Sequence, residues 1–133
     1  MINKKNYYIL SYTWGILISI IGLIIAAALF IMGKRPVKNL YGWTFVVGKN
    51  WGGLSLGPIS LICERGNKHT YLHEFGHSIQ NCYFGPFMIF ICIASAGRYW
   101  YRRIFNITNP PYDSIWFEGQ ATKLGELYET SIK

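Results

Sequence analysis

Charged residues are scarce in this sequence, and acidic ones most of all. Of its 133 residues 14% are Asp, Glu, Lys or Arg, where soluble domains carry about 25%, and only six are acidic. In contrast, 51% are hydrophobic and 17% are aromatic. This composition excludes a disordered or fibrous protein and argues against an ordinary soluble domain.

Cysteines are also few. The chain has three, which form no CxxC pair and are odd in number. Nothing in their spacing therefore suggests a disulfide framework, which agrees with a reducing compartment. The sequence has no internal repeat and no low-complexity linker, and its length is that of about one domain.

A long uncharged apolar run extends from residue 9 to residue 32. At 1.5 Å per residue, about twenty residues in a helix cross the roughly 30 Å hydrocarbon core of a bilayer. We expect residues 1–35 to form an N-terminal transmembrane anchor, with Tyr7, Tyr8, Tyr12 and Trp14 at headgroup level. A signal peptide is the alternative, but its apolar region is about 7–15 residues and ends in a small-residue cleavage site.

Basic residues flank the apolar run unevenly. Two lysines precede it, at positions 4 and 5, and four basic residues follow it: Lys34, Arg35, Lys38 and Lys49. The positive-inside bias places the side with more basic residues in the cytoplasm. We therefore expect the body of the protein to lie on the cytoplasmic side and the short N-terminus outside.

The remaining residues, 36–133, predict a small α+β body. Residues 42–48 and 54–62 predict two strands of a small β-hairpin, joined by a glycine-containing turn, and 68–84 predicts a helix capped by Asn67. The segment 84–103 is expected to form an apolar helix. Its apolar residues, 86–97, span only about half a bilayer, so the helix would dip into the membrane. If the helix starts near Ile79, it is long enough to cross the membrane. A last helix is expected over 115–130. The predicted fold class is thus an α+β membrane protein.

The strongest motif is His73-Glu74-Phe-Gly-His77, which matches HExxH. Residues four apart share one face of a helix, so both imidazoles can bind one zinc ion. Glu74 lies beside them, where it can act as a general base on a metal-bound water. The alternative is a structural zinc site, but such sites usually have four protein ligands, often cysteines.

A catalytic zinc needs a third protein ligand, and Glu118 is the best candidate. It starts a helical face of small residues, completed by Ala121, Thr122 and Gly125, that can approach the HExxH helix closely. Its neighbours are apolar, so an unpaired carboxylate there is costly, although a glutamate in the first turn also favours the helix dipole. Asp113 is the reserve ligand, or a helix cap.

Other polar residues could surround the site. His69 lies about 12 Å from His77 along the helix axis and so cannot share its ion. Gln80 and Asn81 either donate hydrogen bonds near the site or form a polar helix face. Tyr112 and Tyr128 are candidates for stabilising the oxyanion. The predicted strand 54–62 could be an edge on which a peptide substrate adds as a further strand.

Two resemblances follow from these residues. HEFGH before an apolar segment is distantly similar to the helices of site-2 proteases, but the LDG-type motif of that family is absent. A better match is a set of short bacterial membrane-associated proteins with NWGGLSLG, HEFGHSIQN, FGP and a WFEGQATKLGE-like segment, here at 50–57, 73–81, 84–86 and 116–126. These resemble minimal gluzincins, and the match covers about two thirds of the chain. The resemblance implies His73, His77 and Glu118 as zinc ligands and Glu74 as catalytic base, with Thr122 where gluzincins usually have an acid that orients a histidine.

The sequence therefore predicts a zinc metallopeptidase in the bacterial inner membrane, with its catalytic domain on the cytoplasmic side. Zn²⁺ is the expected cofactor, and a peptide or membrane-protein substrate and the lipid bilayer are the expected partners. Nucleic acid is not expected, because arginines beside aromatic residues at 98–103 fit a membrane interface better. The alternative is a non-catalytic zinc-binding membrane protein acting as an interaction or sensor subunit, since about 95 residues leave little room for a substrate cleft.

Overall fold

The computed structural model describes residues 1–49, 51–108, 111 and 114–132. Within these residues the fold is α+β, with helices around a small mixed sheet. The helices are α1 (Lys4–Ser11), α2 (Ile16–Ile31), α3 (Lys68–Phe84), α4 (Met88–Ile104) and α5 (Trp116–Ile132). The strands are β1 (Val37–Asn39), β2 (Gly42–Val46), β3 (Gly53–Leu56) and β4 (Ile59–Ile62).

The N-terminal apolar run, expected to cross the membrane as one helix, is divided into two helices, α1 and α2. α1 and α2 meet at an angle of 94°. The break is held by α3, because Asn81 Nδ2 donates to the Gly15 carbonyl over 3.2 Å and Trp14 Nε1 donates to the Tyr83 carbonyl over 3.1 Å. At Gly15 a Cβ atom would lie 2.5 Å from Asn81 Nδ2, so the close approach requires glycine.

Helix α1 packs into the body of the protein. Tyr7, expected at headgroup level, is 0% exposed and lies in an apolar cluster with Phe75 and Tyr128. Its hydroxyl donates to Ser78 Oγ over 2.9 Å. The placement of Tyr7 at a membrane surface was therefore wrong, because the aromatic face of α1 is covered by α3 and α5.

The sheet has the order β1-β2-β4-β3. β1 is antiparallel to β2, β2 is parallel to β4, and β3 is antiparallel to β4. The single strand predicted over 54–62 was wrong, because a turn at Gly57 and Pro58 divides it into β3 and β4. Gly57 has φ +71°, which a residue without Cβ adopts at little cost. The predicted hairpin between 42–48 and 54–62 was also wrong, because β2 pairs in parallel with β4 and β3 lies on the far side of β4 as an outer strand of a four-stranded mixed sheet.

The prediction of a helix over 68–84 was confirmed. Asn67 caps α3, since its Oδ1 accepts from the Thr70 amide over 3.1 Å. A short 3₁₀ turn, Gly85–Phe87, then leads directly into α4. Together they form a helical run of 37 residues, Lys68–Ile104, which is long and apolar enough to cross a membrane. α1 and α2 would form a second such segment if the bent pair is taken as one span.

Helices α2 and α4 both leave large apolar side chains exposed. α2 buries Ile18, Ser19 and Gly22, which pack against the turn between β3 and β4. Its other apolar side chains are exposed, including Leu17, Ile20, Ile21, Leu23 and Ile24. α4 buries Met88 and Ile91 and exposes Phe90, Ile93, Trp100 and Ile104. So many exposed large apolar side chains on two helices are unusual on soluble monomers.

Helices α3 and α5 pack against each other closely, as the small-residue face of α5 predicted. A Cβ atom added to Gly76 would clash with the carbonyl oxygen of Ala121, and one added to Gly125 would clash with that of Leu72. The backbones therefore touch without intervening side chains. This contact sets the distance between the HExxH helix and the helix that carries Glu118.

Candidate metal centre

The structure brings His73, His77 and Glu118 together at the contact between α3 and α5. α3 presents the two histidines one turn apart, and α5 presents Glu118 in its first turn. His73 and His77 are 7% and 6% exposed, and Glu118 is 0% exposed. Their ligand atoms all lie within 4.8 Å of one another, close enough to bind one metal ion.

The three ligand atoms form a triangle of the right size for zinc. His73 Nε2 lies 2.9 Å from Glu118 Oε2 and 3.2 Å from His77 Nε2, and His77 Nε2 lies 3.4 Å from Glu118 Oε2. Zinc–ligand bonds of about 2.0–2.1 Å in a tetrahedron put neighbouring ligand atoms about 3.3 Å apart. The residues present therefore fit a tetrahedral zinc ion with three protein ligands.

Both carboxylate oxygens of Glu118 have polar neighbours that favour the ionised form. Burial raises the pKa of its carboxyl group, but the hydrogen bonds from His73 and His77 outweigh burial and hold the pKa well below its usual range. Oε1 accepts from Ser95 Oγ of α4 over 2.6 Å, so Oε2 faces the histidines. A buried negative charge needs a cation nearby, and a metal ion at the centre of the triangle would supply it.

The outer nitrogen of each histidine contacts a polar side chain. His73 Nδ1 lies 2.9 Å from Thr122 Oγ1, and His77 Nδ1 lies 2.7 Å from Gln80 Oε1. Such partners orient a metal-binding imidazole. Gln80 was expected either here or on an unused polar face, and it contacts the site. Thr122 had been noted as part of the small-residue face and as a departure from the gluzincin pattern, and its contact with His73 was missed. Its spacing, four residues after Glu118, was the signal.

Glu74 lies beside the triangle and is 5% exposed. Its carboxylate faces the start of β3, where a Cβ atom on Gly53 would lie 2.6 Å from Glu74 Oε1. The backbone of this outer strand therefore runs directly past the Glu74 carboxylate. The residue before β3, Gly52, lies against Tyr99 of α4: a Cβ atom added to Gly52 would be 3.0 Å from the Tyr99 ring.

Several candidate residues lie elsewhere. Asn81 donates to Ser19 Oγ of α2 over 3.1 Å and to a carbonyl at the helix break, so it contacts the N-terminal helices and not the histidines. The Tyr128 hydroxyl accepts from the Ile2 amide over 2.8 Å, in the core cluster near the end of α5. It is ten residues, or about 15 Å, beyond Glu118, too far to reach the site.

His69 stays outside the group that could hold a metal, as expected. Its ring lies 6.2 Å from that of His73, and the cluster formed by the described residues does not include it. Tyr112 and Asp113, the second oxyanion candidate and the reserve ligand, lie outside the described residues.

In comparisons with known proteins, no family model, no curated protein and no solved structure matches the chain. The resemblance to minimal gluzincins therefore stays a prediction, and the functional argument rests on the geometry of the site.

Proposed function

We propose that the chain is a membrane-bound zinc metallopeptidase that hydrolyses peptide bonds. The observation that carries this proposal is the triangle of His73, His77 and Glu118, with Glu74 beside it. Three protein ligands leave a fourth position of a tetrahedral ion for water or substrate, which is the arrangement of catalytic zinc sites. A structural site would more often fill that position with a fourth side chain.

The roles of the residues follow from their positions. A zinc ion bound here would lower the pKa of a bound water and polarise a peptide carbonyl. The two histidines and Glu118 would hold the ion, and the hydrogen bond from Ser95 orients Glu118 towards the histidines. The Glu74 carboxylate takes the proton of the attacking water and returns it to the amine that leaves. Because Glu74 is buried, this proton stays with the reacting groups.

An extended peptide is the substrate that best suits the surroundings of Glu74. β3 is an outer strand of the described sheet, and its first residue, Gly53, faces the carboxylate. A peptide that pairs with such an edge gains backbone hydrogen bonds without sequence preference. This support is independent of the metal ligands, because it comes from the sheet.

The exposed apolar faces of α2 and α4 support a position in a membrane. We propose the bacterial inner membrane, with the body on the cytoplasmic side. Because α1 packs into the body, Lys4 and Lys5 lie on the same side as the basic residues after the first apolar run, and the positive-inside bias favours the cytoplasm for that side. Extraction separates this from attachment by charge. A membrane-inserted chain stays in the pellet after high-salt and alkaline washes, whereas a chain bound only by its basic residues is released by salt.

The test of the metal site is zinc content in the detergent-solubilised chain. We expect about one zinc per wild-type chain and a loss of most of it in His73→Ala and Glu118→Ala. His69→Ala is the matched control, because it removes an imidazole one turn away that lies outside the triangle, and it should keep the metal. A wild-type chain without zinc after metal-replete purification would overturn the proposal.

The test of catalysis is Glu74→Gln. This variant should keep zinc and lose peptide hydrolysis, since the amide cannot accept the proton of the attacking water.

The second candidate function is a non-catalytic zinc-binding membrane protein. Two observations favour it: the metal ligands are buried, and a surface groove of about 440 Å³ lies away from them. That groove is lined by Lys38, Tyr71 and Glu129, not by the histidines. Zinc in the wild type without any hydrolysis that Glu74→Gln abolishes would support this second function.

A further inference from the structure

Helix α4 runs beside strand β3. At one end of the strand, Leu56 shares an apolar cluster with Met88 and Ile91 of α4. Just before the other end, Gly52 lies against Tyr99. The stretch 91–99 of a helix rises about 12 Å and the stretch 52–56 of a strand about 13 Å, so the two contacts are equally spaced on both elements. α4 and β3 therefore lie side by side and run in opposite directions.

The catalytic groups lie between these two elements. Glu74 lies against the first residue of β3, Gly53. Glu118 accepts a hydrogen bond from Ser95, which stands on α4 midway between its two contacts with the strand. A peptide bond that reaches both Glu74 and the metal ligands has to enter the space between α4 and β3. This requirement rests on the proposed function, because it takes Glu74 as the base and Glu118 as a ligand.

The border of this space is apolar. Side chains alternate along a strand, so Leu54 points away from Glu74, and it is exposed. α2 packs at the far end of β3, where a Cβ atom on Gly22 would clash with the carbonyl oxygen of Leu56. β3 therefore lies between α2 and α4, the two helices with many exposed apolar side chains. The polar surface groove at Tyr71 is lined by other residues.

The C-terminal part of α4 indicates the level of the membrane surface. Residues 98–103 alternate arginines with tyrosines and a tryptophan, a combination typical of the headgroup region. Ser95, which contacts Glu118, precedes this stretch, and the helix from Ser95 to Arg103 rises about 12 Å. A tilt of α4 can only reduce this depth. In a membrane, the metal centre would therefore lie no more than about 12 Å below the headgroups.

We infer that the substrate is a membrane-embedded segment of another protein, whose unwound end enters between α4 and β3 from the lipid. This narrows the extended peptide of the proposed function to one class. A helix cannot pair with the edge of β3, so the segment has to be extended where it is cut. At a shallow depth, water can satisfy the backbone groups that unwinding exposes. The cut bond should therefore lie near the cytoplasmic end of the segment.

The first test measures the surroundings of the entrance and needs neither zinc nor activity. The full chain carries a nitroxide on Leu54→Cys, in liposomes of phosphatidylethanolamine and phosphatidylglycerol. Its relaxation by oxygen, which partitions into lipid, is compared with its relaxation by a water-soluble nickel chelate. Lys68→Cys, in the polar groove, is the matched control. The native cysteines are buried or half-buried, and the chain without an introduced cysteine gives their background.

The Leu54→Cys label should be several-fold less accessible to nickel than the Lys68→Cys label, and more accessible to oxygen. Ile93→Cys, exposed on α4, should behave like Leu54→Cys and replaces it if that variant does not fold. Equal access of nickel to the labels on α4 or β3 and in the groove would show that the entrance opens to water, and this would overturn the inference.

The second test locates the cut bonds without assuming a sequence preference. Bacteria that express the wild type or Glu74→Gln are compared by mass spectrometry of protein N-termini in their membrane and soluble fractions. Termini found only with the wild type should lie within about eight residues of the cytoplasmic end of a transmembrane segment, since 12 Å of helix contains that many. Termini concentrated in soluble proteins would contradict the inference and leave the peptidase intact. Absence of any such terminus would refute the proposed function and its substrate, while the nitroxide result would still decide from which side the site opens.

Discussion

The contact between α3 and α5 makes a sharp prediction for Gly76→Ala. The added methyl would clash with the carbonyl oxygen of Ala121, which is backbone and cannot rotate away. To relieve the clash the two helices would have to separate by about 1 Å, since interiors are packed without spare room. Overpacking of this kind costs up to about 3 kcal/mol, and the better helix propensity of alanine returns about 1 kcal/mol. The net loss of stability is therefore about 2 kcal/mol.

The separation would also act on the metal site. His73 and His77 lie on one of these helices and Glu118 lies on the other. Metal sites tolerate changes of about 0.2 Å in their ligand distances, so a shift of about 1 Å should weaken zinc binding at least about tenfold.

The loss of stability should also be visible in thermal unfolding. For a chain of this size, 2 kcal/mol corresponds to a fall of roughly 7 °C in Tm.

The assay is thermal unfolding in detergent, with zinc affinity measured on the same samples. Gly97→Ala is the matched control, because Gly97 lies inside α4 and a Cβ atom there meets nothing within 4 Å. It should leave zinc binding unchanged and keep or slightly raise Tm. If Gly76→Ala matches this control in both measurements, the close approach of α3 and α5 is refuted.

Three further predictions concern residues around the site. Gly53→Ala should abolish hydrolysis while zinc is retained, because its methyl would displace the Glu74 carboxylate; equal activity in a peptidase assay would contradict the position of β3. Thr122→Val should weaken zinc binding about 10-fold by removing the partner of His73 Nδ1, whereas Thr122→Ser, which keeps the hydroxyl, should not. Ser95→Ala should weaken zinc binding several-fold by freeing the third ligand, and an unchanged affinity would show that α4 does not hold it.

The bend between α1 and α2 was not predicted from the absence of charge along the apolar run. The run over 9–32 is uncharged throughout, and its one less apolar stretch, Ser11–Gly15, is where α1 ends and α2 begins. The break exists because Gly15 receives a hydrogen bond from Asn81, which is 66 residues away in the chain. The same holds for Tyr7, whose place in the core depends on α3 and α5. Hydropathy reports which side chains avoid water but not whether lipid or protein covers them.

The sheet shows a second limit. Residues 54–62 are mostly apolar and read as one strand, although Gly57-Pro58 stands in the middle. The turn forms because β4 pairs in parallel with β2, which leaves β3 to fold back as an outer strand. A parallel pairing is a long-range contact, and local turn chemistry alone does not reveal it.

What the sequence by itself determined is local. The i and i+4 spacing of His73 and His77, the cap at Asn67 and the small-residue face of α5 follow from the 3.6-residue period of a helix, so they could be read directly. What only the tertiary structure decided is which distant groups meet. The choice of Gln80 and Thr122 as partners of the two imidazoles, and of Ser95 and Gly53 as neighbours of the two glutamates, depends on how α3, α4, α5 and β3 pack. Hydrogen bonds are short-ranged and directional, so only the folded packing can select them.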